Sequence, residues 1–309
     1  MKGSKSERVV VLTFDVEDWF QVENLRAVFP PDTWDGCELR VEGATRRLLD
    51  LLDRLRDGRE DGAARDVRAT FFVLGWVAEK VPHLVREIRD RGHEVASHGH
   101  GHLLCRNMTP DSLRDDIRRS KAVLEDILGE PVVGYRAPGF SVSPQLLEIL
   151  AEEGFCYDSS YNSFGANPRH GRLDPAALRK RRGVYETPGR LVEIPVSNLH
   201  LNGGALPWAG GGYFRLLCLK LFAAGARAIL DREGLYVFYL HPWELDPDQP
   251  RVGGLGPLGR FRHYVNLEKT EKKLENFAGT LEPCRFLSCS DYLENVLGRS
   301  KSPPPHAED

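Results

Sequence analysis

No stretch of this chain is long and apolar enough to read as a membrane span, and none of its six cysteines stands in a C-x-x-C pair. The first absence argues against an integral membrane protein. The second argues against a zinc ribbon or a dense disulfide framework and favours reduced thiols, as in a bacterial-type cytoplasm. An excess of either charge is also missing: 42 Lys and Arg stand against 45 Asp and Glu, a formal net charge of -3, with the signs interspersed. There is thus no basic footprint for nucleic acid or an anionic membrane. The start, Met1-Lys-Gly-Ser-Lys-Ser-Glu-Arg8, lacks the apolar stretch and small-residue cleavage site of a signal peptide, so a cytoplasmic location is expected.

What is present is a regular alternation of strand and helix signals in 309 residues, 41% of them hydrophobic. Val9 to Phe14 is an unbroken apolar run of strand length, as in a parallel sheet covered on both faces. It ends in Asp15-Val-Glu-Asp18. Leu48, Leu49, Leu51, Leu52 and Leu55 form a helical stripe, Gly58 begins a polar loop to about residue 66, and Ala69 to Leu74 is the next strand. Glu79 to Arg91 reads as one helix, and Thr109-Pro110 opens another that stops at Gly129. Val132 to Tyr135, Phe155 to Tyr157, Leu191 to Pro195 and Leu235 to Leu240 read as strands, with helices at Ser143 to Gly154 and Phe214 to Asp231. Such alternation predicts a parallel sheet with helical crossovers, and the number of units favours a barrel. The expected organisation is a barrel over residues 1–255, a C-terminal α/β extension over 256–299 packed on it, and a disordered tail over 300–309.

In a barrel of this kind the reactive groups sit at the C-terminal ends of strands. Asp15, Glu17 and Asp18, then His98 and His102, Arg136, and His241 all follow strand signals. His93 to His102 alone holds four of the ten histidines. On one helical turn His98 and His102 would face the same way and grip one metal ion, given a carboxylate from elsewhere. Two imidazoles and a carboxylate make an open three-ligand site, which lowers the pKa of a bound water and polarises a carbonyl. A second carboxylate would serve as base, an arginine would hold that base in place, and a histidine would protonate the leaving group.

Thr13-Phe-Asp-Val-Glu-Asp-Trp19, Ser97-His-Gly-His-Gly-His102, Gly134-Tyr-Arg-Ala-Pro-Gly-Phe-Ser141 and Leu240-His-Pro-Trp-Glu244 resemble, in order, the motifs of the polysaccharide deacetylases, the NodB homology domain of carbohydrate esterase family 4. Gly210-Gly-Gly-Tyr-Phe-Arg215, Asp246-Pro-Asp-Gln-Pro-Arg251 and Phe261-Arg-His-Tyr264 resemble the subgroup found with exosortase and exopolysaccharide gene clusters. The resemblance implies a distorted (β/α)7 barrel and metal-dependent removal of N-acetyl groups from an amino-sugar oligo- or polysaccharide, in association with exopolysaccharide biosynthesis. It implies Asp15 as base, His98 and His102 as metal ligands, Arg136 as the residue orienting the base, His241 as acid and the Gly139 N–H as oxyanion donor. The third ligand is Glu17 or Asp18, with Glu17 favoured. The family's Asp-Trp support for the acid is missing, and Glu193 is a candidate substitute. Trp19, Trp208, Tyr213, Phe214 and Trp243 are candidates for stacking on sugar rings. The ligand types suit zinc, with cobalt, nickel or manganese as substitutes. The alternatives are an O-acetyl esterase or a non-metal amidohydrolase on the same fold, or a non-catalytic glycan-binding protein.

Overall fold

Strand β1 (Val9–Val16) is buried at every position, and its alternate residues join different cores. Val10, Leu12, Phe14 and Val16 face the surrounding helices, while Val9 and Val11 face the barrel interior. The period of two therefore aims Thr13 and Asp15 inward, toward the mouth. The computed structural model describes residues 7–57, 66–167, 169–187, 191–201, 203–281 and 283–300. The polar loop after Gly58 lies largely outside them, as does the tail beyond Ser300.

After β1 the chain runs through α1 (Val41–Asp57), β2 (Ala69–Val73), α2 (Gly75–Lys80), α3 (Pro82–Asp90) and β3 (Glu94–Ser97). Pro82 opens α3, so the single helix expected over 79–91 is two, because proline lacks the N–H that continuation needs. Next come α4 (Pro110–Leu128), β4 (Gly134–Tyr135), α5 (Pro144–Glu152) and β5 (Tyr157–Asp158). Thr109 and Ser143 cap α4 and α5 by accepting backbone N–H bonds, and Gly129 ends α4 at φ 69°. Then follow β6 (Arg179–Arg181), β7 (Val184–Glu186), β8 (Val192–Glu193), β9 (Asn198–Leu201), β10 (Gly204–Pro207), α6 (Gly211–Leu216), α7 (Leu219–Glu233) and β11 (Leu235–Leu240). The helix expected over 214–231 is thus α6 and α7. The chain closes with α8 (Pro257–Tyr264), α9 (Leu267–Thr280), β12 (Arg285–Phe286) and α10 (Cys289–Asn295).

The strand order β11-β1-β2-β3-β4-β5-β8 is parallel throughout, which gives the seven staves of a distorted barrel. Between β8 and β11 the ring is joined outside the ladders: the Ser197 N–H donates to Val237 O at 3.2 Å, and the Val237 N–H donates to Ser197 Oγ at 2.9 Å. Hairpin β6–β7 extends β8 antiparallel, and β9–β10 forms a separate pair. β12 pairs with β1, so the C-terminal segment enters the main sheet. Helix α10 stops the barrel floor with Cys289, Tyr292 and Leu293. None of the six cysteines forms a disulfide. Among the described residues no helix is long and apolar enough to cross a membrane.

Candidate active site

The register brings the strand ends level. His98 N–H donates to Val73 O at 3.0 Å and Arg136 N–H to Ser97 O at 2.9 Å, so each ladder runs one step into the functional residue. Asp15, Glu17, His98, His102, Arg136 and His241 thereby meet at one mouth, where Glu17, His102, Gly139, His241 and Trp243 line a cleft of about 130 Å³. A larger cavity, about 340 Å³, opens at the opposite end beside Arg68, His93 and Asp291.

Glu17, His98 and His102 are buried, and one ligand atom of each lies within 4.8 Å of the others. The histidines are not on a helical turn. They sit in a loop in which Gly99 (φ 71°) and His102 (φ 51°) take left-handed conformations, and that reversal turns both rings to one point. His98 Nδ1 lies 2.8 Å from Arg136 O, which fixes the tautomer and frees Nε2 for the cluster. His102 Nε2 lies 2.6 Å from Glu17 Oε2, yet that oxygen has no hydrogen-bond partner among the described residues. A buried carboxylate and two buried imidazoles whose ligand atoms converge are what a shared cation requires. Burial keeps His98 down at about 4, although Asp15 and Glu17 oppose this, so the ring is neutral as a ligand must be. Burial alone would raise Glu17, but the facing His102, with His241 and His98, holds it at about 2. This donor set fits a divalent metal.

Of the two carboxylates that the sequence left open, Asp18 turns away. Its Oδ2 accepts from the N–H groups of Arg40 (2.7 Å) and Val41 (2.9 Å) at the start of α1, and its Oδ1 from Trp19 N–H at 2.8 Å. Burial raises it to about 6 against the pull of those donors. Asp18→Ala is therefore expected to cost about 1–3 kcal/mol of stability in urea unfolding, through the lost charged hydrogen bonds, while the metal content stays at the wild-type level. Metal loss in D18A would count against this assignment.

Arg136 is wholly buried, and its Nη1 donates to Asp15 Oδ1 at 2.7 Å and to Thr13 Oγ at 2.8 Å. Its Nε and Nη2 reach Ser159 O and Ser159 Oγ. Asp15 is thus gripped from behind, with its Oδ2 4.0 Å from His241 Nε2. The same histidine nitrogen lies 3.6 Å from Glu17 Oε1. Gly139, at φ 60°, lines the same cleft.

The partner of His241 is Glu244, not Glu193. Glu244 Oε1 sits 2.9 Å from His241 Nδ1, and its Oε2 accepts from Arg215 Nε at 2.6 Å. The signal was present in the motif His241-Pro-Trp-Glu244, because Pro242 starts a short 3-10 turn that stacks residues three apart. Burial opposes the charge on His241, but Glu17, Glu244 and Asp15 outweigh it and raise the ring to about 9. Glu244 is held at about 2 by Arg215 and His241 despite burial. Arg215 spends its remaining donors on the carbonyls of Arg262, His263 and Val265 in the C-terminal extension.

Glu193 instead faces Asp158, its register partner on β5, and both are fully buried. Burial, and then the Asp158 charge, raise Glu193 well above the ordinary carboxylate range, so Glu193 holds a proton against Asp158. The folded chain keeps this proton where the unfolded chain releases it, so its contribution to stability falls as pH rises above the ordinary carboxylate range. Glu193→Gln, a permanent neutral mimic, is expected to gain melting temperature relative to wild type between about pH 5 and about pH 8. A constant difference across that range would remove the shared proton.

Four of the five stacking candidates, Trp19, Trp208, Phe214 and Trp243, are buried in the core. Phe214 is wholly buried among Phe222, Phe238 and Phe277. Trp208 stacks on Phe222 and donates to its carbonyl at 2.8 Å. Trp19 packs edge-on against Phe20 and Phe29 and donates to Glu38 O. Apolar area buries large rings first, and each indole N–H found an internal acceptor. Trp243 lines the cleft, stacked between His241 and His263, and Tyr213 lines an adjoining cavity of about 260 Å³.

Fold and site together define a seven-stranded parallel barrel carrying one two-histidine, one-carboxylate pocket at the C-terminal mouth of its strands. Residues 2–157 match the polysaccharide deacetylase family and residues 159–294 match a domain of unknown function (DUF3473). The chain belongs to the polysaccharide deacetylase family. It is 32% identical over 120 residues to the peptidoglycan deacetylase-like protein FGM2 of Gibberella zeae, a match covering 39% of this chain and 33% of that one. It is 29% identical over 111 residues to a peptidoglycan-N-acetylglucosamine deacetylase of Bacillus cereus, covering 36% and 47%. These matches therefore span about a third to a half of the curated relatives. In fold, the chain is similar to the crystal structure of a Mycobacterium smegmatis protein assigned as a polysaccharide deacetylase: TM-score 0.63, 22% identity, 100% of this chain and 96% of that one.

Proposed function

We propose that this protein is a metal-dependent hydrolase that removes N-acetyl groups from an amino-sugar polysaccharide or its repeat-unit oligosaccharide. The observation that carries this reading is the convergence of Glu17, His98 and His102 beside the Asp15–Arg136 and His241–Glu244 pairs in one cleft. A divalent metal held by Glu17, His98 and His102, most simply zinc, supplies Lewis-acid polarisation of the acetyl carbonyl and lowers the pKa of water. The chain's own groups do the rest. Asp15, fixed by Arg136, takes the proton from the attacking water. The Gly139 N–H donates to the oxygen on which negative charge develops. His241, charged and braced by Glu244, gives its proton to the departing amine nitrogen, so the amine leaves neutral and acetate remains. Trp243, buried between His241 and His263, backs the acid at the cleft wall.

The test is acetate release from N-acetylglucosamine oligomers and from O-acetylated xylo-oligomers, using metal-stripped protein, zinc-restored protein and H98A. Zinc-dependent release from the N-acetyl set that disappears in H98A is expected. Release from the O-acetyl set alone would change the bond, and no release from either despite bound zinc would withdraw the catalytic reading.

A further inference from the structure

We propose that the cleft beside the catalytic pocket holds a subsite for an anionic group of the glycan, a carboxylate or a phosphate, read by Arg169 and Arg262. It rests on the deacetylase reading for the placement of the acetyl group.

Three arginines line the catalytic cleft, and they differ in what their donors do. Arg215 is buried and fully committed to Glu244 and to backbone carbonyls. Arg169, half-buried, gives one bond to Asn24 Oδ1 at 2.7 Å. Arg262 lies with its guanidinium carbon 5.9 Å from the centre of the Tyr213 ring. Neither Arg169 nor Arg262 forms an ion pair among the described residues. Glu23, an acid lining the same cleft, is already bonded to Arg26 at 3.2 Å. Burial lowers Arg169, Glu23 pulls it back up, and Arg262 and then Arg106 add smaller lowering effects. Like charges that line one cleft repel each other, and an anion between them would relieve that repulsion. Arg262 also lines the adjoining cavity with Asn167, His170 and Tyr213, so the subsite lies where a glycan leaving the catalytic pocket would pass. His170 is pinned by the Phe164 carbonyl and by Asn167, so it shapes the wall. A guanidinium pair fits the planar carboxylate of an acidic sugar or a sugar phosphate, and neither is matched by a neutral hydroxyl.

The test is calorimetric titration of the full chain, metal-stripped and zinc-restored in parallel, with three probes. They are di-N-acetylchitobiose, N-acetylglucosamine joined to glucuronate, and N-acetylglucosamine 1-phosphate. At least one anionic probe is expected to bind about tenfold more tightly than the neutral one. The preference should vanish in R169Q/R262Q and shrink in the wild type as ionic strength rises. Which anion wins identifies the source. Should the double variant fail to fold, R169Q and R262Q singly, with the wild-type salt dependence, decide the matter. Equal affinity for all three probes, a preference for the neutral one, or a preference that survives in the double variant would overturn the subsite. Acetate release from chitobiose is scored separately. Release without anion preference removes only the subsite, whereas anion preference without release removes only the catalytic reading.

Discussion

Asp15→Asn is expected to lower acetate release by about a hundred- to ten-thousandfold, the range that loss of a general base spans. Asparagine keeps an oxygen for the Arg136 Nη1 bond, so the geometry survives, but it cannot accept the proton of the attacking water. It also leaves the wholly buried Arg136 guanidinium facing a neutral group where a carboxylate stood 2.7 Å away. Removing one partner of a buried pair costs up to about 3–5 kcal/mol, and the bonds from Arg136 to Thr13 and Ser159 should keep D15N below that ceiling. Rate and urea stability should therefore fall together, with zinc content retained. Full activity in D15N would take the base role from Asp15.

His98→Ala should lose metal outright. Disturbing an outer partner of a ligating histidine costs roughly 10- to 100-fold in affinity, and loss of the ligand itself should exceed that. The same outcome is expected for Glu17→Gln, because an amide replaces the charged ligand oxygen that faces His102 Nε2. Zinc measured after dialysis at fixed free concentration is the readout, and it needs no turnover. Stoichiometric zinc in H98A would dissolve the three-ligand site. The contrast with D18A is the sharper half of the experiment, since Glu17 and Asp18 are neighbours in sequence with opposite jobs in the fold.

The strands were legible because their apolar runs are unbroken and because acids, histidines or arginine follow directly on them. Asp15, His98, Arg136 and His241 are legible in the sequence as strand-end residues. The choice between Glu17 and Asp18 was not, since it depends on where α1 begins more than twenty residues later and on whose N–H groups need a carboxylate. The spacing of His98 and His102 suggested a helical turn, but two left-handed residues achieve the convergence, and φ cannot be read from spacing. Glu244 is harder to single out than Glu193 from the sequence, although only two residues separate it from His241. The 3-10 turn that folds it back has no apolar periodicity to announce it. Aromatic rings misled for the opposite reason: composition marks them as large and flat, while burial is decided by the helices that pack over them.

The bonds from Arg215 to the carbonyls of Arg262, His263 and Val265 have a consequence for anyone redrawing this gene. A reading frame ended before residue 256 would strip a buried cation of three acceptors, at about 1–3 kcal/mol for each donor left unmet. It would also loosen Glu244, and with it the His241 imidazole, and would remove β12, one of the strands that pair with β1. The barrel is not a portable module here. His241 is braced, through Glu244 and Arg215, by chain that is synthesised after the last stave.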